Sequence, residues 1–279
     1  MTKKKLKARL DHQLAALYPH LSRSRIQAEI MAGRVQVDGI REDKPGTLIN
    51  TAATIAISTP ENPYVSRGGL KLAGALKNLI LDVTGLTVLD IGASTGGFTD
   101  CLLQAGAVKV YALDVGYGQL ALKLRNDPRV KVMERTNIRH LEPADLPDLP
   151  DLAVVDVSFI SLTLVFPVLN RVGVPKVLAL IKPQFEAGKT EVDRGSGVIR
   201  DPDQHRKVLL DIARAAGHCG YSSRAFTFSP KPGPKGNIEY FIYLAADSKE
   251  SFSTEESVTL EIEKVVDEAH QQLNRSKKS

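Results

Sequence analysis

From Thr87 to Leu244 the chain repeats one pattern, a short apolar run followed by a longer stretch in which apolar residues recur at helical spacing. The apolar runs lie near 87–91, 108–114, 130–135, 152–157, 174–181, 221–228 and 238–244, and they predict seven strands. Strands that read as continuous apolar runs are buried on both faces, the habit of parallel sheets clothed by crossover helices. The last pair departs from this habit. Only the stretch Ser229 to Gly236 joins them, too short for a crossover helix, so an antiparallel hairpin is expected. The prediction is an α/β sheet of seven strands, doubly wound, with an antiparallel last strand.

Ahead of this block the periodicity changes. Leu6 to Tyr18 and Ser24 to Ala32 read as two short helices. Gly33 to Gly39 reads as a turn and an alternating strand that ends in Asp38-Gly39, and Ile49 to Ser58 as another strand after Lys44-Pro45-Gly46. Together they predict a small α+β module over residues 1–59. Thr59-Pro60-Glu61-Asn62-Pro63 combines two prolines with polar residues and no hydrophobic period, as an extended linker does. The linker is placed at 60–66 and the α/β domain at 67–246. Residues 247–279 hold eight acidic and five basic residues. There Val258, Leu260, Ile262 and Val265 suggest a loosely amphipathic helix that packs on the surface or frays.

Charge sharpens the division. The net charge of +5 lies entirely in residues 1–60, with ten Lys/Arg against five Asp/Glu, since the remainder holds 27 of each. A small basic module on a balanced protein fits a polyanion-binding patch, although a solubilising surface gives the same count. No stretch is long and apolar enough to span a membrane, and the first residues lack the features of a signal peptide. A cytoplasmic protein is expected. Cys101 and Cys219 fall in helical segments as reduced, packed thiols, and the six histidines have no metal-ligand spacing. No metal is expected.

The first predicted strand runs into Gly92-Ala93-Ser94-Thr95-Gly96-Gly97-Phe98, with a helix expected from about Gly97. Glycines let the backbone turn sharply and approach a ligand where a strand feeds a helix N-terminus. The spacing is not the GxGxxG of pyrophosphate binders, which disfavours nicotinamide-dependent oxidoreduction. Asp114 ends the second strand, where a carboxylate can accept both ribose hydroxyls of a nucleoside. Strand-end aspartates also cap helices, but the pairing with the glycine turn favours the nucleoside. Asn137, after the third strand, suits either an adenine contact or a turn. Charged residues cluster at the strand ends: Asp156 after strand four, Lys182 after strand five and Glu239 opening strand seven, with Lys71 on the helix before strand one. Ligands of open α/β sheets sit beyond the carboxyl ends of the strands, and the antiparallel last strand begins at that same edge. A buried ion-pair network is the plain alternative, and three charged strand ends at one cleft favour function. Two chemistries are disfavoured. Asp156-Val157-Ser158-Phe159 lacks the paired prolines used for methylating amino nitrogens, and no cysteine stands near the strand-four or strand-five ends.

Two resemblances follow. Arg9-Leu10-Asp11, Ser22-Arg23-Ser24-Arg25, Ala28, the run Gly33 to Gly39 and Lys44-Pro45 resemble the RNA-binding domain named after ribosomal small-subunit protein S-four. That implies phosphate contacts by Arg23, Arg25 and Arg34, each of which taken singly could be a solvated face. The strings around Lys71, Gly92, Asp156, Lys182 and Glu239 resemble the Lys-Asp-Lys-Glu tetrad of FtsJ-type ribose 2′-O-methyltransferases. With the N-terminal module the match narrows to the TlyA family, some of whose members are labelled haemolysins. This implies a Rossmann-like fold that binds S-adenosylmethionine, with Lys71, Asp156, Lys182 and Glu239 catalytic and Lys182 the candidate base. The implied substrate is cytidine in the ribosomal RNA of either subunit, with Arg67 as a further phosphate contact. A long loop over Gln184 to Arg200 is expected beside the site. The rival readings are a non-catalytic RNA-binding assembly factor, which an incomplete tetrad would favour, and a membrane-damaging protein, for which the sequence has no lytic helix.

Overall fold

A computed structural model describes residues 6–19, 21–57, 62–187, 197–246 and 254–275. The chain divides into two compact units, Met1–Pro63 and Tyr64–Ser279. In the first unit β1 (Lys7–Arg9), α1 (Leu10–Leu17) and α2 (Arg23–Met31) precede β2 (Val35–Val37), β3 (Ile40–Glu42), β4 (Leu48–Asn50) and β5 (Ile55–Ile57). β1 pairs antiparallel with β4, and β3-β2-β5 form a separate three-stranded sheet. Leu10, Leu14, Ile26, Ile30 and Val35 are fully buried and make its core.

Two sequence expectations change here. Residues 7–9, expected in the first helix, form a strand because they pair with residues 48–50. The single strand expected over Ile49 to Ser58 is two strands in different sheets. Asn50 Oδ1 accepts the Ala52 N–H at 3.1 Å, an Asx turn that breaks the run. Asp38 and Gly39 both have positive φ, as a two-residue hairpin turn of matching twist requires.

In the second unit α3 (Gly68–Asn78) leads into β6 (Thr87–Ile91), α4 (Gly97–Gln104), β7 (Lys109–Leu113), α5 (Leu122–Arg125), β8 (Val130–Met133) and β9 (Leu152–Val155). There follow α6 (Phe166–Val172), β10 (Lys176–Ile181), α7 (Pro183–Glu186), α8 (Pro202–His218), β11 (Tyr221–Phe228), β12 (Tyr240–Ala246) and α9 (Glu255–Arg275). The sheet order is β11-β12-β10-β9-β6-β7-β8. Strands β6 to β10 are parallel, and β12 runs antiparallel to both neighbours. Leu89, Val155 and Ala179 face one apolar layer while Val88, Val154 and Leu178 face the other, so the strands are buried on both sides as their apolar runs predict. From β6 the chain winds out to β7 and β8, then returns to β9 on the other side. The crevice beyond the ends of β6 and β9 is therefore a switch point, where ligands of such sheets bind.

Tyr64, Val65 and Ser66, placed in the linker by the sequence, belong to this unit. Tyr64 and Val65 pack against the core beneath α3 and α4, and Asp100 accepts the Val65 N–H at 2.8 Å. The tail is also more committed than a surface helix. Val258, Ile262, Val265, Val266 and Ala269 of α9 are buried in the main core. Leu260 lies on the opposite face, 61% exposed. Most of the loop expected over Gln184 to Arg200 falls at 188–196, outside the described residues. Among the described residues no helix is long and apolar enough to cross a membrane, and no cluster of potential ligands could hold a metal ion.

Candidate active site

The glycine turn is built by backbone collisions that only glycine avoids. Gly92 has φ of 85°, and a Cβ there would run into the Asp156 carbonyl oxygen; the turn thereby packs on the end of β9. Gly96, with φ of 96°, caps α4, and a Cβ on Gly97 would strike the Ser66 hydroxyl. The backbone amides of Gly92 and Ala93 both donate to Leu113 O, at 2.9 and 3.1 Å. Phe98 turns inward and stacks on Phe241 with ring centroids 6.2 Å apart. Asp114 is locked against this turn: Oδ2 accepts the Ser94 N–H at 2.8 Å and Oδ1 the Gly116 N–H at 2.7 Å. Each oxygen keeps a second lone pair that a ribose hydroxyl can use. Asn137 Oδ1 accepts the Arg139 N–H at 3.1 Å and caps a short 3-10 turn, while the residue also lines a cleft with Asp114.

The four charged residues meet as two ion pairs. Lys71 Nζ, from α3, lies 2.6 Å from Glu239 Oε2, at the approach to β12. Lys182 Nζ, at the end of β10, lies 2.6 Å from Asp156 Oδ1 and donates to Val157 O and Ser158 Oγ, both at 2.9 Å. Glu239 is fully buried, and Gly233 is glycine because a Cβ would meet its carboxylate. Lys71 and Asp156 line a cleft of about 690 Å³ with Arg67, Ser94 and the turn Pro232–Gly236. A second cleft, of about 620 Å³, holds Asp114, Asn137 and Phe159. Both are lined by Gly92, Ser94 and Asp156. The site is thus one groove of two lobes, one holding Asp114 and a basic one holding Arg67 and Lys71, that join at Asp156.

Three structural features escaped the sequence reading. Phe159 is 92% exposed with φ of 66°, its ring 5.2 Å from that of Phe185. A bulky residue in the left-handed region is strained, which marks a site rather than a core position. Asp90, two residues before Gly92, is fully buried. Its Oδ2 accepts the Thr99 hydroxyl at 2.5 Å, while Oδ1 has no partner. Burial pushes this carboxyl up to about 7, with the Thr99 hydrogen bond opposing and the Asp156 and Asp114 charges adding. An acid inside an apolar strand was its only signal. Glu29 of α2 is buried between Arg25, at 2.7 Å, and Arg34. Two of the three arginines expected on RNA therefore also brace their own unit. Arg23 stands exposed with no acidic partner among the described residues, and Arg67 is exposed at the rim of the basic lobe.

A glycine turn beside a strand-end aspartate, on a parallel sheet whose last strand is antiparallel, is an arrangement that methyltransferases use, and the chain is one of them. Residues 64–246 match the FtsJ-like methyltransferase family and residues 8–55 the S4 domain. The chain belongs to the TlyA group of FtsJ-like methyltransferases. It is 46% identical over 254 residues to the 16S/23S rRNA (cytidine-2′-O)-methyltransferase TlyA of Mycobacterium tuberculosis, covering 88% of this chain and 93% of that one. Identity to Bacillus subtilis YqxC, named as a candidate rRNA methyltransferase, is 45% over 99% of this chain and 98% of that one. A solved Streptococcus thermophilus structure described as a candidate hemolysin is 40% identical with a TM-score of 0.74, covering 99% of this chain and 100% of that chain.

Proposed function

We propose that the protein transfers a methyl group from S-adenosylmethionine to the ribose 2′-hydroxyl of cytidine in ribosomal RNA, of the small subunit, the large subunit or both. The observation that carries the reading is the junction of the two lobes, where Asp156 with its partner Lys182 stands beside the basic lobe that holds Lys71. The ribosomal substrate follows from the relatives, among them a 16S/23S rRNA (cytidine-2′-O)-methyltransferase.

The groove fits the cofactor, since the glycine turn leaves room for a close approach and Asp114 presents lone pairs to a ribose. Bound there, S-adenosylmethionine supplies a methyl group activated by a positive sulfur. The chain's own residues align the acceptor. Arg67 and Lys71 draw the RNA backbone into the basic lobe, and Asp156 holds the Lys182 amine toward the 2′-hydroxyl. Lys71 holds Glu239 and is held by it, which keeps the ammonium group fixed at the wall of the cleft. Lys182, once it has passed a proton to solvent, takes the hydroxyl proton as the oxygen attacks. Alignment of oxygen and methyl group supplies much of the rate, and a positioned base contributes roughly 10²- to 10⁴-fold more. Phe159 offers a nucleobase a stacking face at the rim. Ribosomal subunits in the cytoplasm are the partners.

The test incubates the protein with unmodified ribosomal subunits, separate and joined, and methyl-labelled S-adenosylmethionine. Alkali-resistant ribose linkages are then mapped. Labelled cytidine is expected, and RNA without label would sink the reading.

A further inference from the structure

The family match ends at residue 246, but α9, which lies beyond it, reaches a buried side chain that touches β12. His270 Nε2 lies 3.0 Å from Nδ1 of His205, a fully buried side chain in the first turn of α8. The same Nδ1 lies 2.8 Å from the Tyr240 hydroxyl, and His205 Nε2 lies 3.2 Å from Ile199 O. A carbonyl oxygen can only accept, so Nε2 carries the hydrogen and Nδ1 the lone pair. That single lone pair is shared: the Tyr240 O–H, at 2.8 Å, is the shorter branch of a bifurcated hydrogen bond and the His270 Nε2–H, at 3.0 Å, the longer one. The chain of donors runs one way and requires a neutral His205.

This network ends on the strand that delivers Glu239. Tyr240 follows Glu239 directly. On its other side Asn237, itself buried, accepts the Ile199 N–H at 3.2 Å and donates to Gly197 O and Pro234 O, both at 3.1 Å. Ile199 is thus gripped by its N–H through Asn237 and by its carbonyl through His205, and the two anchors bracket Glu239 in the chain. The Glu239 carboxylate has little freedom of its own, being fully buried against Lys71 and Gly233.

We propose that His205 is a positioning residue for methyl transfer, holding the Glu239 end of β12 through Tyr240 and the Ile199 carbonyl, and that α9 takes part in the reaction by supplying His270 to this buried chain. The charged groups around it are Asp201, which caps α8, Arg206 of α8 and Asp267 of α9, with Arg206 and Asp267 paired at 2.5 Å. Burial, with His270 alongside, holds the His205 imidazole down to about 4. The neutral form that the donors need is therefore present throughout the neutral range.

The inference rests on the methyl-transfer reading, and the two fail differently: a wild-type protein that labels no RNA overturns the reading, whereas the variants below judge the positioning chain. Full-length protein is assayed on unmodified ribosomal subunits with methyl-labelled S-adenosylmethionine. Cofactor Kd and Tm are measured in parallel. Tyr240→Phe removes one hydroxyl and His270→Leu one donor. Each is expected to lower kcat roughly tenfold through misplacement of the Glu239 end, with cofactor Kd and Tm near wild type. Because both act through His205, the double variant should be no slower than the worse single one. His270→Gln keeps an N–H donor and should recover most of the loss. Wild-type kcat in Tyr240→Phe overturns the proposal, as does His270→Gln no better than His270→Leu, or an activity loss that merely follows a fall in Tm.

Discussion

At the residue scale the most informative side chains are those whose surroundings admit one role. Lys182 donates two hydrogen bonds, to Val157 and Ser158, and is ion-paired with Asp156, so three oxygens converge on its ammonium group. Arginine cannot fit three convergent acceptors around a point charge and cannot give up its proton. Lys182→Arg is therefore expected to bind S-adenosylmethionine normally yet lose methylation by at least two orders of magnitude or so. Full activity in that variant would remove Lys182 as the base. Gly92 is constrained from the other side, by a positive φ and by the Asp156 carbonyl. Gly92→Ala should displace the end of β9 and weaken cofactor binding, measured by calorimetric titration, while the core strands remain folded. An unchanged Kd would separate the turn from the cofactor.

Elements were legible in the sequence where one period ran long enough to outvote local chemistry. The seven strands of the large sheet and the helix from Gly97 fall where the apolar runs place them, and the antiparallel β12 follows from the shortness of its connection. The small strands β1, β4 and β5, three residues each, were not separable, because three residues carry no period and their pairing is set by distant partners. Helix α9 was under-read for a related reason. Its buried positions 258, 262, 265, 266 and 269 follow the helical repeat, but the many charges between them suggest solvent. The site was legible in its charged strand ends and glycines, whose chemistry has a fixed place on such a sheet, and illegible in Phe159, whose role depends on exposure. Arg23 and Arg25 of α2 and Arg34 just beyond it were read from the sequence, but Glu29 was not. That carboxyl is held below its usual range chiefly by the hydrogen bond from Arg34. Glu29→Ala leaves two arginines crowded without their acceptor. It should destabilise the N-terminal unit by about 1–3 kcal/mol, seen in hydrogen exchange of α1 and α2 with little change in the large sheet.

For the whole molecule, two buried groups set opposing dependences on pH. Asp90 has a folded pKa of about 7 against an ordinary 3.8, so its contribution to stability is full below that ordinary value and is lost as pH rises through about 7. His205 is the reverse: lowered from 6.5 to about 4, it contributes fully above 6.5, and the contribution is lost as pH falls toward 4. The windows overlap and their slopes oppose each other. Thermal unfolding of Asp90→Asn should therefore gain stability with rising pH across the overlap, and His205→Gln should lose it. Equal slopes in both variants would refute the assignment. The charge division predicts a separate behaviour. With the surplus of positive charge in residues 1–60, residues 64–279 alone should bind the cofactor but lose most affinity for RNA at physiological salt, and the lost part should be the salt-sensitive part. Retained affinity in a filter-binding titration would relocate the RNA surface.

The position of β12 also bears on how the protein is born. Although β12 is the last strand to be synthesised, it lies between β10 and β11, so the sheet cannot close by simple accretion at an edge. A nascent chain that has emerged only through β11 holds an open slot with unpaired backbone on both sides, a state prone to wrong pairing. Glu239 enters the site in the same event that fills the slot. Lys71, Asp156 and Lys182 therefore wait for β12 to pair before Glu239 joins them.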